Sequence, residues 1–206
     1  MKLSICINTC ALASHAQEVT GSHTSTPHAM RAWALRNFIL PALIDSPHVD
    51  EVIVAGEWEE GEGYTYVSSP SVFRSCVDAL AQRQAAFEAS HGDVVGFVHD
   101  DHMLHTETLW SMKNVWRFQP ADVLVPYRFA RTSRGIVQLN NGMQEPPLYV
   151  GGHAAFYSRD ILLAAPWGDV PKVHVWDTAH TKMLNAANAR IREVGVVYDV
   201  EAGVYE

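Results

Sequence analysis

The chain has 206 residues, 48% of them hydrophobic, which is enough for one globular domain with a real core. Fifteen Lys and Arg against 23 Asp and Glu leave a formal charge of −8, so no overall positive field draws the protein to a polyphosphate backbone or an anionic lipid surface. The three cysteines, Cys6, Cys10 and Cys76, show no metal-type pairing and fit a reduced, cytoplasmic protein.

The first apolar run, Leu3 to Asn8, predicts a buried strand. Lys2 and the run up to Ala16 also imitate a secretory leader, but Asn8 and Thr9 interrupt the apolar stretch and the strand reading is preferred. Nothing approaches the roughly 18 apolar residues of a membrane span. Thr26-Pro27 then offers a cap and a first-turn proline for a helix carrying Met30, Trp33, Ala34, Phe38 and Leu43, ending near Ser46-Pro47.

Val49 to Ala55 predicts a second strand, running into the acidic loop Gly56 to Gly63, which reads most simply as a solvated turn. A short strand at Tyr64 to Val67 precedes Ser69-Pro70 and a helix through Val72, Phe73, Cys76, Leu80 and Phe87, stopped by His91-Gly92. Asp93 to Val98 is a third strand, ending abruptly in His99-Asp100-Asp101-His102. The second half predicts a helix near Thr106 to Phe118, a strand near Val123 to Tyr127, a loop through Asn140-Asn141-Gly142 and an apolar run from Tyr149 to Tyr157. A helix over Asp177 to Ala189 and a strand over Val194 to Tyr198 follow. Strands alternating with helical patterns imply an α/β fold around a mainly parallel sheet, in a single domain.

In such sheets ligands collect at the carboxyl ends of the strands, where Asp100 and Asp101 fall. Two adjacent carboxylates at a strand end oppose each other's ionisation, and a divalent cation relieves them. Hard oxygen donors suit Mg²⁺ or Mn²⁺. The plainer alternative is a solvent-facing pair capping the next helix. His99, His102 and His105 beside the pair leave zinc or iron open as well.

Arg83-Gln84, Gly92-Asp93 and the strand leading to Asp100-Asp101 together resemble a family 2 glycosyltransferase with the A-type fold. The likeness is carried by residues 3 to 105, taken as the nucleotide-binding part, with 106–206 as the acceptor side. His99 stands where that family often has a first Asp, and Gln84 where it has Asn. The resemblance implies that Asp101 holds the metal, that Asp100 touches the ribose or assists the metal, and that Arg83 lies near the nucleotide. By the same resemblance Thr9 and Glu57 face the nucleotide, and Gly151-Gly152 approach the donor sugar ahead of Arg159 and a short helix. It places Asp177 as general base at the start of an acceptor-side helix and offers His180 as a further metal ligand. Asp177 as a helix cap and Gly151-Gly152 as a tight bend are the local alternatives.

The activity implied is transfer of a sugar from a nucleoside diphosphate sugar, UDP-sugar by family expectation, to an acceptor hydroxyl with inversion. The Gln-x-x-Arg-Trp motif of processive synthases is absent, which favours single additions. Rival readings are a non-catalytic nucleotide- or glycan-binding module, a nucleotidyltransferase, and a DNA-modifying sugar transferase. The first strand is not followed by the basic Gly-rich loop expected of a nucleotidyltransferase. A cluster of Arg117, Arg128, Arg131 and Arg134 would serve nucleic acid, but an ordinary solvated face is favoured for it. The sequence names neither the acceptor nor the oligomeric state.

Overall fold

The computed structural model describes residues 1–9, 28–69, 76–100, 102–119, 121–132, 135–139, 150, 154–172 and 176–199. Three parallel pairings build its first half. Strand β1 (Leu3–Thr9) lies between β2 (Glu51–Gly56) and β4 (Val94–His99), and β3 (Thr65–Ser68) flanks β2. Near-continuous apolar runs make these strands competent to be covered on both faces: Ile5, Cys6 and Ile7 are each fully buried. Burial pushes the Cys6 thiol well above its ordinary pKa, which leaves it an unreactive core residue.

The second half continues the same sheet. β8 (Ala154–Ser158) runs antiparallel to β4 and to β6 (Val123–Thr132), and β6 pairs in parallel with β9 (Ile191–Asp199). β5 (His102–Leu104) adds to β9, and β7 (Gly135–Leu139) pairs with β6. The order is β3-β2-β1-β4-β8-β6-β9-β5. β8 ends one residue beyond the expected Tyr149–Tyr157 run, and β6 extends five residues beyond the predicted Tyr127.

One face of the sheet is covered by the helical segment from α1 (His28–Ala34) to α2 (Leu40–Ile44) and by α4 (Thr106–Phe118). Their Leu35, Ile39, Leu43, Leu109 and Met112 pack on Ile5, Ile7, Val54 and Val98. Between α1 and α2 the backbone widens into a π turn over Leu35–Ile39, where the Leu40 N–H reaches Leu35 O. Pro41 lacks an N–H to continue the ordinary ladder, and the π turn absorbs that loss. The other face carries α3 (Cys76–Ala89), α5 (Arg159–Ala164), the 3₁₀ turn Trp167–Asp169 and α6 (Trp176–Ala186), packed on Cys6, Ile53, Phe97 and Tyr157.

The crossover from β1 to β2 thus covers one face, and the helix leading into β4 covers the other. The carboxyl ends of β1 and β4 therefore form a switch point, the usual crevice for a ligand in an open α/β sheet. No helix among the described residues is long and apolar enough to cross a membrane.

Candidate active site

At the switch point, Thr9 ends β1 and Asp100 follows β4. Register brings them together: Asn8 lies opposite His99, so the next residues face each other across the strand ends. Thr9 Oγ1 donates to Asp100 Oδ2 at 2.6 Å, and Arg31 Nη1 donates to Asp100 Oδ1 at 3.1 Å. Both charged side chains are nearly inaccessible, at 10% exposure for Arg31 and 3% for Asp100. A buried carboxylate needs a counter-charge and hydrogen bonds, and Arg31 from α1 supplies the charge. Sequence reasoning assigned that neutralising role to a cation and did not single out Arg31.

The same edge binds its backbone tightly. The Thr9 carbonyl accepts from the Glu57 N–H at 3.0 Å and from Gln82 Nε2 at 3.3 Å. Gly56, at φ +130°, permits the approach, because a Cβ there would lie 1.9 Å from Thr9 O. Glu57 is half-buried at the mouth of the acidic loop. That loop is anchored rather than freely solvated. Trp58 is buried, its Nε1 donates to the Tyr64 hydroxyl, and Arg36 grips Glu59 through both Nε and Nη2.

Asp101, the expected metal ligand, lies outside the described residues, as do Gly151 and Gly152. The rings of His99 and His102 stand 5.7 Å apart, edge to face. His105 is occupied locally: its Nδ1 accepts from the Glu107 N–H and caps α4. Among the described residues no three His, Cys, Asp or Glu side chains are grouped to hold an ion. Carboxylate oxygen is the donor type that suits a hard divalent ion, and at this edge the Asp100 carboxylate is held by Arg31 and Thr9.

Arg83 and Asp177 sit on the other face, in a second cluster. Arg83 is 1% exposed, and its guanidinium lies 5.1 Å from the Phe97 ring, 5.0 Å from Trp167 and 4.9 Å from Trp176. Desolvated contacts of this kind contribute roughly 1–2 kcal/mol each. Burial pulls the Arg83 pKa down to about 10, opposed by the nearby Tyr157, Cys6 and Asp177, and the group stays cationic at neutral pH. Asp177 is the second residue of α6, after Trp176, so it stands inside the first turn and not at the cap position, and its Oδ1 accepts from the Thr178 N–H at 2.8 Å. One turn on, Thr181 Oγ1 accepts from the Val150 N–H at 3.0 Å and donates to the Asp177 carbonyl at 2.8 Å. The residue preceding Gly151 is thereby tied to the helix that carries Asp177.

His180 takes a different place from the one expected of a metal ligand. Its Nε2 donates to the Ala165 carbonyl at 3.0 Å, and its ring lies 3.7 Å from that of Trp167. Burial, aided by Arg83 and only partly offset by Ala165, depresses its pKa from 6.5 to about 4. The unfolded chain takes up this proton near pH 6.5 and the folded chain only near pH 4. The contribution of His180 to stability is therefore fully present above pH 6.5 and is lost as pH drops through that window, about 3 kcal/mol in total. His180→Phe is expected to keep the stack on Trp167 and flatten that part of the acid denaturation profile. A His180 Cε1–H resonance titrating near 6.5 in the folded protein would contradict the assignment.

Arg159, which opens the short helix α5 as the resemblance implied, locks the turn between α3 and β4. Its Nε donates to Gly92 O at 2.8 Å and its Nη2 to Ser90 O at 2.7 Å, with the guanidinium over Phe87.

The fold is that of the A-type nucleotide-diphospho-sugar transferases, and the likeness extends over nearly the whole chain. Residues 1–349 of S. aureus TarS in complex with UDP superpose with a TM-score of 0.57 at 17% identity, over 96% of this chain and 60% of that one. Glucosyl-3-phosphoglycerate synthase from Mycobacterium tuberculosis, with Mn²⁺, UDP and phosphoglyceric acid, gives 0.55 at 14% identity over 95% and 69%. CMP:2-keto-3-deoxy-manno-octonic acid synthetase complexed with CTP gives 0.54 at 10% identity over 96% and 90%. No protein-family model matches the chain, and no curated protein sequence does.

Proposed function

We propose that this chain is a metal-dependent, non-processive glycosyltransferase of the cytoplasm, moving a sugar from a nucleoside diphosphate sugar, a UDP-sugar by preference, to an acceptor hydroxyl with inversion. The observation that supports it best is the buried Thr9–Asp100–Arg31 cluster at the switch point of an A-type fold. Thr9, Glu57 and Asp100 form the nucleotide edge, Gly151 and Gly152 border the donor sugar, and Asp101 holds Mn²⁺ or Mg²⁺. When bound, that ion supplies positive charge to the departing diphosphate. His180, committed to Ala165, is left out of its coordination. Asp177 takes the proton of the acceptor hydroxyl as the new glycosidic bond forms at the anomeric carbon and the bond to the diphosphate breaks.

Calorimetric titration with UDP tests the reading. Binding is expected to be weak in chelator and clearly tighter with Mn²⁺ or Mg²⁺. Equal affinity in both conditions would remove the metal from the site.

The CTP-bound neighbour, 90% of whose length is spanned, favours one rival reading, a nucleotidyltransferase on the same sheet. Release of pyrophosphate from a nucleoside triphosphate, in place of nucleoside diphosphate from a nucleotide-sugar, would identify it.

A further inference from the structure

We propose that Arg83 is a positioning residue for Asp177: clamped among Phe97, Trp167 and Trp176, it fixes the first turn of α6 and so aims the carboxylate that follows Trp176. This rests on the reading of Asp177 as general base, and it replaces the nucleotide contact that the sequence resemblance implied for Arg83.

The geometry points away from the nucleotide. Arg83 lies on the α3 face of the sheet over Phe97, whereas Arg31 reaches Asp100 from the α1 face. Its guanidinium lies 4.9 Å from the ring of Trp176, the residue immediately before Asp177. Trp176 in turn meets Trp167 edge to face at 5.7 Å, and Trp167 is 1% exposed. The neighbouring α3 residue Gln84 completes the clamp, its Oε1 accepting from the Gly168 N–H at 3.0 Å. Two consecutive α3 side chains therefore hold the 3₁₀ turn and the start of α6 against the nucleotide half. Arg83 and Asp177 are also within electrostatic reach of each other. A planar guanidinium can stack on several rings while keeping its charge, which Lys cannot do in the same way.

The test uses the full chain with Arg83→Met and Arg83→Lys, alone and combined with Asp177→Ala. Donor hydrolysis or transfer gives kcat, and calorimetry with UDP and Mn²⁺ gives donor affinity. Arg83→Met should leave UDP affinity unchanged and lower kcat by roughly 10–10²-fold, the scale expected of a misplaced catalytic group. Arg83→Lys should restore only part of that loss, and in the Asp177→Ala background Arg83→Met should cost nothing further. Weakened UDP binding would return Arg83 to the nucleotide and overturn the proposal. An equal fall in kcat in both backgrounds would show a merely structural role and also overturn it.

A double-mutant cycle on thermal unfolding separates this idea from the glycosyltransferase reading, because it needs no turnover. Non-additive losses for Arg83→Met and Asp177→Ala support the coupling even if no donor is ever consumed. Strict additivity refutes it even in an active transferase.

Discussion

Arg31→Met is expected to be among the most destabilising single substitutions in this protein, costing roughly 3–5 kcal/mol in the absence of metal. The change removes the positive charge of Arg31 from Asp100 while leaving the carboxylate almost wholly buried, its hydrogen bond from Thr9 intact. For a chain of this size that loss corresponds to a fall in Tm of about 6–20 °C. Pairing the substitution with Asp100→Asn should recover much of it, since the buried charge goes with its partner. Mn²⁺ should stabilise Arg31→Met more than it stabilises the parent, because an ion held beside Asp100 can take over the neutralising role. A loss below about 1 kcal/mol, or an Asp100→Asn combination no more stable than Arg31→Met alone, would show that the ion pair is not what holds this strand end.

The difference between what sequence and structure reveal here is one of range. Helix α4 was legible to the residue, because a capping residue, an acidic first turn and a spaced apolar stripe all lie within a dozen positions. β1, β2 and β4 were legible as unbroken apolar runs between polar turns. The sheet's second half was not. Whether the run ending at Tyr157 pairs parallel or antiparallel depends on which strand it meets, and it inserts between β4 and β6 in a way no local pattern encodes. Strands β5 and β7 are three and five residues long, too short for a period to show.

At the site, Thr9 and Asp100 were each singled out, but their hydrogen bond depends on the register of β1 against β4, which no local pattern encodes. Arg31 was missed because its partner lies 69 residues away. A signal existed nonetheless: Arg31 shares a helical stripe with Leu35 and Ala34, all buried, and an arginine on an apolar stripe calls for an acidic partner. Arg83 was noticed for its place in a motif, but its surroundings could not be read, since Phe97, Trp167 and Trp176 converge on it only through the packing of three elements.

Comparing Asp101→Ala with Asp177→Ala should separate donor binding from chemistry. Asp101→Ala is expected to weaken Mn²⁺-dependent UDP binding by at least roughly tenfold, the lower end of what disturbing a metal's ligand environment costs, and turnover should fall with it. Asp177→Ala should bind UDP and Mn²⁺ like the parent while kcat drops by roughly 10²–10⁴, the usual contribution of a general base. Asp177 also accepts from the Thr178 N–H in the first turn of α6, and losing such a bond costs roughly 1 kcal/mol. Thermal unfolding must therefore accompany the kinetics, with activity measured well below each Tm. A stability loss of that size with unchanged turnover would make Asp177 a structural residue of the first turn alone and leave the base to be found elsewhere. Where no acceptor is at hand, slow donor hydrolysis serves as the assay, water standing in the acceptor's place and giving its proton to the same carboxylate. Hydrolysis that is insensitive to Asp177→Ala but abolished by Asp101→Ala would preserve the metal-bound donor and remove the base, a result that points to a different deprotonating group on the acceptor side.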